Sequence, residues 1–155
     1  MNDYIHEELI FLDWEVEDRQ ELFEKISQIL GEKQFIKEGF LDYLNNREDN
    51  YPTALELEGY SVAIPHGDPS YINKSFISII RLMKPIKMYK MEDSTEQTEV
   101  DLFFILGLLE GNEHLSVLKQ LINLFQDEET IKKLKQATLT EEILTILNQK
   151  TRKEG

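Results

Sequence analysis

Ser61-Val62-Ala63-Ile64-Pro65-His66-Gly67-Asp68-Pro69 is the stretch on which the fold turns. Val62 and Ile64 alternate with smaller residues, as in a half-buried strand. Pro65 has no N–H to give to a ladder, so the strand stops there. Gly67 permits backbone angles that other residues resist, which allows a sharp turn behind His66. The pattern predicts an imidazole at the end of a core strand, on a rigid turn facing solvent. Groups held this way on a fixed scaffold are often functional.

Outward from this turn, the chain alternates between strand-like and helix-like segments. On the N-terminal side, Glu8 to Trp14 is rich in large apolar and aromatic residues and reads as a strand. Asp18 and Glu21 form a capping pair for a helix whose stripe is Leu22, Phe23, Ile26, Ile29 and Leu30, with Gly31 as its C-terminal cap. A second helix is expected from Lys37 to Arg47, with Phe40, Tyr43 and Leu44 inward. Glu48 to Pro52 then reads as a polar loop.

On the C-terminal side, Ser75 to Met83 reads as a strand. Lys84 to Glu99 is polar, is broken by Pro85, and is expected to be an excursion with at most a short edge strand at Ile86 to Tyr89. Val100 to Leu108 is almost continuously apolar and fits a central strand covered on both faces, with Phe103 and Phe104 in the core. Helices follow from His114 to Phe125 (stripe Leu115, Leu118, Leu121, Ile122, Phe125) and from Asp127 to Ala137. The last begins at a Thr138-Leu139-Thr140-Glu141 capping box and ends near Asn148. This interleaving predicts the α/β class: a mixed sheet flanked by helices on both faces. One domain over residues 1–150 with a frayed tail at 151–155 is expected, since 155 residues suffice for one core.

The net charge of −13 argues against non-specific nucleic-acid binding and against anionic membranes. The absence of cysteine removes disulfides, thiol nucleophiles and thiolate metal sites. No apolar run approaches the roughly 20 residues that span a bilayer, and Asp3, Glu7 and Glu8 do not make the basic start of a signal peptide. A cytoplasmic protein without membrane insertion is expected.

The chain lacks a Gly-rich phosphate loop, an HExxH zinc pattern and a GxSxG elbow. His6, His66 and His114 lie far apart, without the paired spacing of zinc sites. The 30 acids form many chance pairs, and most read as solvated surface. His66 has two readings. It is either a turn histidine that closes a strand, or a nucleophile whose neutral ring nitrogen attacks a phosphoryl group while the other nitrogen is held as a donor. Arg47 is either half of a surface Arg–Glu pair or a fork for phosphate oxygens. His114 is either a surface residue at a helix start or part of a site where strand ends meet a helix N-terminus.

Four phrases carry a resemblance: Arg47-Glu48, Tyr51-Pro52-Thr53-Ala54-Leu55, Ala63-Ile64-Pro65-His66-Gly67, and Glu113-His114-Leu115 with Leu118 and Leu121. Together with Thr138 to Leu147 they resemble the enzyme IIA domains of the sugar phosphotransferase system. The type is fructose/mannitol, which includes galactitol and nitrogen-regulatory members, and the resemblance covers nearly the whole chain. It implies a mixed sheet flanked by helices, and a phosphocarrier that needs no cofactor or metal. Phospho-HPr would donate the phosphoryl group to His66. A cysteine on a IIB component would accept it and pass it to a sugar entering through a IIC membrane component. The same resemblance implies that Arg47 stabilises the phosphoryl group and that His114 supports His66. Mannitol-type members often carry a Glu after the His-Gly pair. Here Asp68-Pro69-Ser70 stands there, with Asp68 the available substitute. Galactitol-type members can lack the second histidine, yet the Tyr51 to Leu57 phrase looks closer to that type. Two alternatives to sugar transport remain: a nitrogen-type regulator controlled by its phosphorylation state, and a binding module that has lost the chemistry.

Overall fold

The computed structural model describes residues 1–154, the side chains of 151–154 excepted. Of the expected frayed tail at 151–155, the side chains and residue 155 lie outside what is described. Among the described residues five strands form one sheet: β1 (Ile5–Trp14), β2 (Ala54–Leu57), β3 (Tyr60–Ala63), β4 (Phe76–Tyr89) and β5 (Gln97–Gly107). Their order is β1-β4-β5-β3-β2. β1 runs parallel to β4 and β3 parallel to β5, while the other pairs are antiparallel. The sheet is therefore mixed. The helices are α1 (Arg19–Glu32), α2 (Phe40–Asn50), α3 (Gly111–Phe125), α4 (Glu128–Gln136) and α5 (Thr140–Glu154).

β5 occupies the centre, where its apolar run is needed on both sides. Phe103 and Ile105 point into one core with Phe23, Leu30, Phe40 and Leu44 of α1 and α2. Leu102, Phe104 and Leu106 point into another with Leu121, Phe125, Leu134 and Ile143 of α3 to α5. Alternation along one strand thus builds a three-layer structure.

Several elements differ from the sequence reading. Asp18 does cap α1, accepting from the Glu21 N–H at 2.9 Å. Gly31, however, lies within the helix, and the left-handed residue after it is Gln34 (φ 65°). α2 runs on to Asn50, so Glu48 is helical rather than in a loop. β2 pairs with β3 as a hairpin turned at Gly59 (φ 89°), a strand that the sequence reading did not name. β4 continues through Pro85, and the polar excursion becomes a long hairpin with β5. Pro85 sits in a register shift between Arg81 and Ile86, where the ladder is already interrupted. On α3 the buried residues are Val117, Leu121, Leu124 and Phe125, while Leu115 and Ile122 are exposed. α5 extends to Glu154, beyond the expected end near Asn148.

Arg81 locks the helical layer to the sheet. It is 8% exposed. Its Nη1 donates to the carbonyls of Leu134, Lys135 and Ala137 at 2.5–3.1 Å, closing the end of α4. Its Nη2 donates to Asp13 at 2.9 Å. Removal takes the guanidinium from the buried Leu134 and Ala137 carbonyls, whereas Asp13 is exposed enough to rehydrate. Arg81→Met is expected to lower unfolding free energy by about 2–3 kcal/mol. Urea denaturation checks this, and a midpoint equal to that of the wild type would show the cap to be dispensable.

Candidate active site

β3 delivers the chain to Pro65, and β5 then frames the turn. The Leu106 N–H donates to the Pro65 carbonyl at 2.9 Å, and the Gly67 N–H donates to the Leu106 carbonyl at 3.1 Å. His66 is thereby fixed from both sides at the carboxyl end of the central strand. Gly67 is needed for a reason other than the expected one. It does not adopt positive φ; instead, a Cβ there would lie 2.5 Å from the Phe40 ring. Close packing of α2 against the turn demands a residue without a side chain.

The His66 ring is half-buried, and its Nδ1 lies 2.9 Å from the Ile64 carbonyl. A carbonyl can only accept, so Nδ1 carries the proton and the lone pair resides on Nε2. Burial pushes the His66 pKa down to about 4, with the neighbouring His114 and Arg47 acting in the same direction, against the bond to Ile64. The ring is therefore neutral near pH 7. His114 comes from the first turn of α3, and its ring meets His66 edge-on with centroids 4.7 Å apart. Its pKa is also lowered, by burial and then by Arg47.

Arg47 comes from the last turn of α2 and stacks over the Tyr51 ring at 4.7 Å. Its Nε is buried without a hydrogen-bond partner. The three predicted residues line one cavity of about 220 Å³, together with Tyr43, Asp68 and Gly111. Gly111 begins α3, whose N-terminal amides have no side-chain cap, a setting that favours an anion.

Arg47 is therefore not half of a surface pair with Glu48. Glu48 is 3% exposed and turned inward, its carboxylate accepting from the Thr53 N–H and hydroxyl, each at 2.8 Å. Asp68 is engaged locally. It accepts from the Ser70 N–H at 2.9 Å and from the Ser70 hydroxyl, bonds that hold its pKa below the usual carboxylate range. It therefore caps a turn at the rim of the cavity. His6 is not brought to the site: its Nε2 lies 3.2 Å from the Ser75 carbonyl and its ring packs on Phe35. Among the described residues no three metal-binding side chains gather. The arrangement offers a neutral nucleophilic nitrogen, a fixed cation and a helix N-terminus at one point, the set required to receive a phosphoryl group.

The buried imidazole has a consequence for stability. Its pKa is near 4 in the fold against 6.5 for a free histidine, so the unfolded chain binds a proton first as pH falls. The stability contributed is complete above pH 6.5 and is lost progressively toward pH 4, by roughly 2–3 kcal/mol. His66→Gln is expected to flatten that limb. Urea midpoints from pH 7 to pH 4 for both proteins check this, and parallel curves would contradict it.

The family described as phosphoenolpyruvate-dependent sugar phosphotransferase system, EIIA 2, matches residues 3–150. The chain belongs to that family. Its members are phosphotransferases that carry the transferred group on a histidine, so this chain is a phosphotransferase of that kind. It is 32% identical over 130 residues to a nitrogen regulatory protein of Bradyrhizobium diazoefficiens, covering 83% of this chain and 78% of the relative. It is 28% identical over 149 residues to the mannitol-specific phosphotransferase enzyme IIA component of Geobacillus stearothermophilus, covering 94% and 95%. The crystal structure of the nitrogen regulatory protein IIA-Ntr from Neisseria meningitidis superimposes with a TM-score of 0.78 at 27% identity, covering 94% and 97%.

Proposed function

We propose that His66 is the phosphorylated residue and that phospho-HPr is its donor. The observation that carries this reading is the bond from His66 Nδ1 to the Ile64 carbonyl, which leaves Nε2 as the free nucleophile beside Arg47. Nε2 attacks the phosphorus of the donor phosphohistidine. The new N–P bond forms as the donor's N–P bond breaks, and the donor ring leaves with the electron pair. His66 now carries a proton on Nδ1 and a phosphoryl group on Nε2, so its ring is cationic and a good leaving group. The ring is thereby ready for the second transfer, to a cysteine of a IIB component. Arg47 faces the phosphoryl oxygens, and His114 packs against the reacting ring. No cofactor or metal enters these steps.

Phosphoenolpyruvate, enzyme I and HPr should convert the protein into an acid-labile, base-stable phosphoprotein, with phosphorus on His66 Nε2 by NMR. A protein that remains unmodified, or is modified elsewhere, sinks the assignment. Among the described residues no helix is long and apolar enough to cross a membrane, and we place the protein in the cytoplasm with these partners.

The nitrogen regulatory relatives support a second reading, in which the phosphorylation state controls a partner protein. Transfer onward to a IIB domain favours transport; phosphorylation-dependent capture of a non-transport partner, with sugar uptake intact in a deletion strain, favours regulation. Galactitol specificity rests on the Tyr51 to Leu57 phrase alone, and a panel of IIB domains of known sugar type decides it.

A further inference from the structure

The site described above rests on a buried carboxylate that takes no part in the chemistry. Glu48 Oε2 accepts from the Thr53 N–H, and Oε1 from the Thr53 hydroxyl, both at 2.8 Å. The Thr53 carbonyl in turn accepts the Ile64 N–H at 3.3 Å. The Ile64 carbonyl then accepts the His66 Nδ1 proton at 2.9 Å. Glu48, Thr53 and Ile64 are 3%, 1% and 0% exposed, so water cannot substitute along this path. The same clamp fixes the short loop after α2, on which Tyr51 forms the shelf under Arg47.

We propose that Glu48 is a positioning residue: through Thr53 and Ile64 it sets the orientation and tautomer of the His66 ring. This rests on the reading of His66 as the phosphoryl acceptor. An apolar residue would fill the same space without the cost of burying a carboxylate. What the carboxylate adds is two acceptors at one point, matched to the N–H and O–H of one threonine. That match fixes Thr53 by both its backbone N–H and its side chain, and the Thr53 carbonyl accepts the next link.

The test reads the ring directly. In protein labelled with 15N, the long-range proton–nitrogen spectrum of His66 reports which ring nitrogen carries hydrogen. Wild type should show a protonated Nδ1 and a bare Nε2. In Glu48→Ala the two nitrogen shifts should move toward each other as the second tautomer becomes populated. The rate of phosphorylation by phospho-HPr should fall by about tenfold or more, with KM for phospho-HPr little changed. Glu48→Gln should restore both, because its amide oxygen accepts from the Thr53 N–H and its NH2 donates to the rotatable hydroxyl. If Glu48→Ala does not fold, Thr53→Val carries the test. It keeps the N–H bond and loses only the hydroxyl bond, and a smaller shift in the same direction is expected. Unchanged His66 nitrogen shifts in whichever of these two variants folds overturn the proposal. Shifts that respond in a protein that phospho-HPr never labels would instead defeat the phosphoryl-acceptor reading and leave the positioning role standing.

Discussion

Replacing His66 with alanine is expected to abolish phosphoryl uptake from phospho-HPr, a loss of at least ~10³-fold, while the protein stays folded. The asymmetry follows from what the side chain does. In the fold it makes one hydrogen bond, to the Ile64 carbonyl, and packs one ring edge against His114. Loss of such a bond costs about 1 kcal/mol, which a protein of this size tolerates. In the proposed reaction it forms the one bond between this protein and phosphorus, and a missing nucleophile has no substitute. His114 is the natural candidate for rescue, being in ring contact. Among the described residues no hydrogen bond pins its tautomer as the Ile64 carbonyl pins that of His66. Residual labelling of His66→Ala at a few per cent that disappears in the His66→Ala/His114→Ala double variant would show leakage to the second ring. Labelling of the single variant at the wild-type rate would remove His66 from the chemistry altogether. Circular dichroism and thermal melting of the same sample separate lost chemistry from lost fold.

The residues of the candidate site were easier to single out in the sequence than the course of the scaffold around them. His66, Arg47 and His114 could be singled out because each lies near an element boundary: a proline turn, the last turn of α2 and the first turn of α3. What the sequence could not show is that those boundaries meet around one cavity. The central strand was legible because burial on both faces forces an unbroken apolar run in β5. The same logic failed at Pro85. A proline within a strand normally ends it, yet β4 passes through because its register with β5 is already broken there. The partner on its other side, β1, pairs no further than Leu82. Pattern reading also expected Leu115 and Ile122 to face inward, since they share the helical period of the true core residues. The face that α3 turns to the sheet takes Val117 and Leu124 instead. Glu48 was hidden for another reason. A glutamate beside an arginine, ahead of an asparagine and a proline, looks like solvated surface. Its signal is Thr53, five residues on, whose N–H and hydroxyl converge on one carboxylate.

Arg47→Ala is expected to slow phosphoryl transfer by ~10²–10³-fold with little effect on stability. The guanidinium lies on a Tyr51 shelf, lines the cavity, and has a buried Nε with no hydrogen-bond partner among the described residues. A donor left open in this way can close on a phosphoryl oxygen as charge moves from donor to acceptor, so its interaction is strongest when transfer is under way. Arg47→Lys separates charge from geometry. It keeps the cation but loses the planar fork and the fit over Tyr51, so a rate between wild type and Arg47→Ala is expected. The pH dependence gives an independent handle. The positive charge of Arg47 holds down the pKa of both His66 and His114. Its removal should therefore move the acid limb of the rate profile to higher pH. Burial is the larger cause for both rings, so the limb should move only part of the way toward an ordinary histidine. Rapid-quench measurement of phosphoryl transfer from phospho-HPr across pH 4 to 8 reads both effects. A reduced rate with an unmoved acid limb would mean that Arg47 acts on the phosphoryl group but not on the rings. An unchanged rate would mean that the guanidinium belongs to the surface after all.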